Sequence, residues 1–111
     1  MTEDIRQKKI RDLNDALRKR GKGGKIMMTR GIQALGQMAV NKIIAQIRAF
    51  DAFTEDNDPY GERDFGSIVV DGNKIFWKID AYDRNLEYGS PDPTNPSLTV
   101  RVMTIMLAEE Y

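Results

Sequence analysis

The sequence predicts an α+β fold: an antiparallel sheet of about four strands packed with two helices, in the order helix, strand, helix, hairpin, strand. Three observations lead there. Two stretches of the first half carry apolar residues at helical spacing, the second half holds Asp71-Gly72 between two β-rich runs, and the chain closes on the β-branched stretch LTVRVMTI. With 111 residues, 41% of them hydrophobic, the chain has the size of a single domain, 1–111, built on one core.

The first helix is expected over residues 3 to 20, EDIRQKKIRDLNDALRKR, where Ile10, Leu13 and Leu17 form a narrow apolar stripe. Thr2 reads as its N-cap, Glu3 and Asp4 sit in the first turn, Arg18, Lys19 and Arg20 suit the dipole at the other end, and Gly21 supplies the stop. GKGGK, residues 21 to 25, has glycine amides that could cradle a phosphate, but it follows a helix and lacks a Ser or Thr after its Lys. It reads as a turn into a short strand, KIMMTRGI. From about residue 33 to 50, Val40, Ile43, Ile44, Ile47 and Phe50 mark the second helix.

In DFGSIVVDGNKIFWKIDAYD a two-residue turn at Asp71-Gly72 sets Val70 opposite Asn73, Ile68 opposite Ile75 and Gly66 opposite Trp77. A missing side chain at 66 then makes room for the indole. Ile68, Val70, Ile75, Trp77 and Ile79 should line the core, while Phe65, Phe76, Lys78, Asp80 and Tyr82 share the other face. Residues 85 to 97, with three of the four prolines, form a loop. LTVRVMTIMLAEEY begins as a strand and ends in residues of helical propensity.

The composition restricts the chemistry. There is no Cys and no His, so thiolate chemistry, an imidazole base and ordinary zinc ligation are excluded. No cofactor is expected, and a metal would have to be Mg²⁺ or Ca²⁺ held by oxygens. The absence of Cys, of a signal-peptide core and of a long apolar run leads to the expectation of a soluble, cytoplasmic protein without membrane contact. Net charge is zero, but residues 1 to 50 hold 12 Lys or Arg against 4 acids, and residues 51 to 111 hold 5 against 13. That division fits two halves that attract on folding, a basic face for nucleic acid, or an acidic face for a basic partner.

Two candidate sites follow. The acidic stretch FTEDNDPYGERDFG and the end of the hairpin bring Asp56, Asp58, Glu62, Asp64, Asp80 and Asp83 within reach of one another, and Asp56, Asp58, Asp80 and Asp83 are the metal-ligand candidates. The spacing is not that of a calcium-binding loop, since Ser67 falls where a bidentate acid belongs, and the plainer reading of these acids is as solvated carboxylates that cap turns, pair with Arg63 or Arg84, or end strands. The stretch 53 to 64 should be ordered, anchored by Phe53, Pro59, Tyr60 and Phe65. The second site is the sheet face opposite Trp77. If no helix covers it, Phe76, Lys78, Asp80 and Tyr82 form an aromatic and charged surface suited to a protein partner. For nucleic acid, Arg6, Lys8, Lys9, Arg11, Arg18 and Lys19 offer a basic helix face without an accompanying motif.

Read together, LNDALR, MTRGI, FTEDNDPYGERDFG, FWKIDAYD, YGSPDP and RVMTIMLAEEY resemble a family of small bacterial proteins, the domain of unknown function numbered 3768, across nearly the whole chain. The chain departs from the pattern expected of that family at Arg63, where His is usual, and at Ala81, where an aromatic is usual. The resemblance implies no activity, but the family's occurrence on plasmids implies a role in accessory or mobile DNA. The expected function is a non-enzymatic binding protein of such DNA, with a host-defence antagonist that occupies a protein surface as one version. The alternative is a small carboxylate-dependent, metal-assisted hydrolase.

Overall fold

The computed structural model describes residues 4–111. Helix α1 runs Ile5–Arg20, and its N-cap is Asp4, whose carboxylate accepts the Arg6 N–H at 2.8 Å. The proposed cap Thr2 and first-turn Glu3 lie outside the described residues. Gly21, at φ 66°, closes the helix by donating to Leu17, as expected of a C-terminal glycine. The buried stripe is Ile10, Asn14, Leu17 and Arg18, with Leu13 only half-buried. Two of its four members are polar, which is why apolar spacing alone misplaces the stripe.

Strand β1 is Gly24–Met28. The expected strand KIMMTRGI stops there because Thr29 caps a one-turn helix, α2, Arg30–Gln33, by accepting the Ile32 N–H. Helix α3, Gln37–Ala49, buries Val40, Ile43 and Ile47. Strands β2, Phe65–Val70, and β3, Asn73–Tyr82, form the expected hairpin in the expected register, with Gly66 opposite Trp77. Asp71 and Gly72 carry the positive φ values, 50° and 80°, that such a turn requires. Strand β4, Val100–Leu107, is followed by a short 3-10 turn, Ala108–Glu110.

The sheet order is β1-β4-β3-β2. β4 pairs antiparallel with β3 and parallel with β1, so the four-stranded α+β sheet is mostly antiparallel, as expected, with one parallel pair at its edge. The parallel pair follows from the long crossover between β1 and β4, which leaves β1 as an edge strand. Glu110 fixes that corner: its carboxylate accepts from the Thr29 hydroxyl at 2.6 Å, from the Gly31 N–H at 3.2 Å and from the Leu107 N–H at 2.8 Å. Hydrogen bonding to these donors holds the Glu110 carboxyl below its ordinary pKa.

One cluster forms the core: Leu17, Ile32, Val40, Ile43 and Ile47 of the helices against Ile68, Val70, Ile75, Trp77, Ile79, Met103 and Ile105 of the sheet. All three helices therefore contribute to the Trp77 side. Trp77 is fully buried, and Phe50 and Phe53 meet it edge to face, with ring centres 5.7 and 6.1 Å away.

A Cβ built on Gly66 would collide with the indole ring of Trp77. Gly66→Val should therefore destabilise the protein by roughly 1–3 kcal/mol through overpacking, read as a lower denaturant midpoint; an unchanged midpoint would contradict the close approach.

Candidate functional site

The sheet face away from Trp77 is built by strand alternation. Phe76, Lys78, Asp80 and Tyr82 of β3 project from it, each half-buried, beside Phe65, Ser67 and Val69 of β2 and Val102, Thr104 and Met106 of β4. Val69 is 62% exposed. Phe65 and Phe76 lie 5.2 Å apart, and Tyr111 at the chain end packs against both, at 6.1 and 5.6 Å. Lys74 lies over Phe76, 5.5 Å from the ring centre. Lys78 Nζ stands 3.1 Å from Asp80 Oδ2, an ion pair in distance whose angles do not make a hydrogen bond, and this contact raises the Lys78 pKa. The four residues expected to form an interaction surface thus share one face, and among the described residues its aromatic contacts are with one another and with Tyr111.

The metal-ligand candidates are not brought together. Among the described residues no three acids stand where they could hold a metal ion. Asp58 accepts from the Arg63 N–H at 3.1 Å, and Asp83 accepts from the N–H groups of Asn85 and Glu87 at 3.1 and 3.0 Å. Asp80 faces Lys78, and Asp56 is exposed in a turn. Each carboxylate therefore has a local role or faces water.

Residues 53 to 64 are tied together by polar contacts more than by the expected anchors. Asn57 and Thr54 cap one another, and the Asn57 amide donates to the Ala52 carbonyl at 2.9 Å. Phe53 packs inward, but Tyr60 is 69% exposed and Pro59 is exposed too. Arg63 adopts a positive φ of 53°, unusual for a residue with a side chain. It is held there by Asp58, by an ion pair to Asp15 at 2.9 Å and by the ring of Phe53, 5.3 Å from its guanidinium carbon.

A cleft of about 290 Å³ opens beside this loop, lined by Arg6, Asn14, Glu62, Asp64, Asp80 and Arg101 among others. Sequence reasoning missed Arg101 and Asn14, because each looks like an ordinary surface residue. Arg101 is buried, donates Nε to Asn14 Oδ1 at 2.8 Å and Nη2 to the Pro93 carbonyl at 2.7 Å, and Asn14 donates in turn to the Glu62 carbonyl at 2.9 Å. Burial lowers the Arg101 pKa, opposed by the Glu62 charge. Desolvation, then the neighbouring acids Asp64 and Asp58, push Glu62 up. Desolvation is also the main cause of the raised Asp64 pKa, and Asp64 is among the residues that line the cleft.

The basic helix face does not survive intact. Arg18 is 1% exposed, Arg6 pairs with Asp92 at 3.2 Å, and Lys8 pairs with Asp12 at 2.9 Å. Among the described residues no helix is long and apolar enough to cross a membrane.

A two-layer α+β fold, with three helices on the Trp77 side of a four-stranded sheet and no helix on the other side among the described residues, defines the class. The chain belongs to the family described as protein of unknown function (DUF3768), which matches residues 28–110. The match spans α2, α3, the acidic loop, the whole hairpin and β4, but not α1, and of β1 only Met28. Neither a curated protein nor a solved structure matches the chain.

The raised pKa of Glu62 has a measurable sign. A carboxyl with a higher pKa folded than unfolded costs stability once pH rises above its ordinary value, 4.5, and costs nothing below it. Glu62→Gln should raise the thermal midpoint at pH 7, and the gain should vanish as the pH falls below the ordinary carboxylate range; a gain independent of pH would contradict the assignment.

Proposed function

We propose that this protein is a non-enzymatic binding module that engages a protein partner through the uncovered face of its sheet. The observation that carries the reading is the one-sided packing: all three helices supply the Trp77 side, while Phe65, Phe76, Val69 and Tyr82 stand on the other. An aromatic centre ringed by polar groups is the composition of an interface core rather than of an ordinary solvated sheet face. Lys78 is matched by Asp80 within the face, whereas Lys25 and Lys74 at its margins have no ion pair among the described residues. The partner surface that fits is an apolar centre with carboxylates at its edge. An origin in accessory or mobile DNA and a role in antagonising host defence are versions of this reading that the face accommodates equally.

The metal-assisted hydrolase is the weaker proposal. It needs three converging acids, whereas Asp58, Asp80 and Asp83 serve separate local contacts and Asp56 is exposed in a turn.

Asp80→Ala and Tyr82→Ala separate binding from folding. Neither side chain belongs to the Trp77 core and each is half-exposed, so each substitution should change stability by no more than about 0.5–1 kcal/mol. Both variants should keep a thermal midpoint near that of the wild type and lose the protein that the wild-type chain captures. Retained capture would reject the face as the interface, and cooperative unfolding at much lower temperature would make these residues scaffold.

A further inference from the structure

We propose a second docking site, independent of the sheet face: the open edge of β1 and the groove beside it receive an extended, acidic segment of another protein, which joins the sheet as a fifth strand. The backbone supplies the first argument. Thr29 continues the parallel ladder by donating to the Ile105 carbonyl at 3.1 Å. Peptide groups alternate in direction along a strand, so those of Met27 and Lys25 also point to β4, and those of Met28 and Ile26 point away from it. The Met28 carbonyl is taken by the Gln33 side-chain amide at 2.9 Å. The Ile26 N–H and C=O and the Met28 N–H have no partner among the described residues. One residue offering both groups outward is what an added strand requires.

The groove supplies the second. About 540 Å³ of open space lies between this edge and the start of α3, with Ile26, Met28 and Val40 as its apolar lining and Gln33, Gly36 and Gln37 at its rim. Alternate side chains of an added strand would enter it. Met27 extends the apolar surface on the other side of the sheet and is 55% exposed.

Charge selects the occupant. Residues 16 to 50 contain no Asp or Glu. Lys22, Lys25 and Arg30 flank the edge, all exposed and without an ion pair among the described residues. The one acid at this corner, Glu110, is consumed by Thr29, Gly31 and Leu107. An edge lysine opposes pairing between two copies of the same strand, because it brings like charges together. A segment alternating carboxylates with apolar residues turns that repulsion into attraction: the carboxylates face Lys25 and the apolar side chains face Ile26 and Met28.

The test uses a blocked hexapeptide in which Glu and Val alternate, a Lys-and-Val counterpart, and a Glu-and-Val version interrupted by Pro, each titrated into the full chain while backbone amide resonances and exchange are followed. The acidic peptide should bind saturably and slow exchange at the Ile26 amide. The basic and Pro-containing peptides should bind at least roughly tenfold more weakly, and Lys25→Glu should weaken the acidic peptide to a similar extent. Phe76→Ser should leave this binding unchanged, which separates the site from the sheet face. Absence of Ile26 protection, equal binding of the basic peptide, or protection of Ile26 without peptide in a concentration-dependent dimer would each overturn the proposal. Displacement of the peptide by a single-stranded oligonucleotide that leaves the Ile26 amide unprotected would do so too.

Discussion

A buried guanidinium holds the molecule together. Arg18 projects from the last turn of α1 and donates to the carbonyls of Ile47 and Phe50, both at 2.8 Å, so it satisfies the C-terminal end of α3. Its Nη2 pairs with Asp15 at 3.1 Å, and Asp15 pairs in turn with Arg63 of the acidic loop. Its central carbon lies 5.3 Å from the Phe53 ring centre and 5.2 Å from that of Trp77. One side chain thus joins two helices, a loop and strand β3. Burying a charge is expensive unless it is paired and hydrogen-bonded. Here all but one of its nitrogens are used, since only Nε lacks a partner.

The sides of the sheet follow from this constraint. With α1 and α3 clamped to each other over Trp77, the helices lie on one side, and Phe76, Lys78, Asp80 and Tyr82 are left on the other. The charge division between the halves of the chain is partly resolved in the same way: Arg6 meets Asp92 and Lys42 meets Asp71, both at 3.2 Å. The cations around β1 are among those that have no ion pair among the described residues. Both candidate docking surfaces are therefore what the core leaves unused. The family match begins after α1, so the residues that it covers include Ile47, Phe50, Phe53 and Trp77 around the guanidinium but neither Arg18 nor Asp15.

The hairpin was legible because its signals are local: Asp71-Gly72 dictates a turn, alternation dictates the faces, and Gly66 answers Trp77. The end of β1 was not, since the Thr29 that caps α2 also donates its hydroxyl to the Glu110 carboxylate, 81 residues away. The parallel pairing of β1 with β4 is a long-range choice that leaves no local trace. Asn14, Arg18 and Arg101 were hidden for another reason. A polar residue reads as surface unless its partners are known, and their partners are backbone carbonyls and side chains contributed by distant segments. The acidic loop was readable in composition and not in role, because its carboxylates could have converged on a cation or capped turns, and spacing alone does not distinguish the two.

The most direct measurement is equilibrium denaturation of Arg18→Met, which keeps the length and apolar character of the side chain while removing the charge and its donors. Asp15 retains Arg63 in that variant, so the loss isolates what Arg18 gives to the α3 carbonyls and the aromatic rings. Stability should fall by about 3–5 kcal/mol, the scale for breaking a buried charged network, with near-native secondary structure where the variant still folds. A loss below about 1 kcal/mol, within the range of ordinary surface substitutions, would show that packing alone sets the helices on their side of the sheet and that the buried cation is incidental.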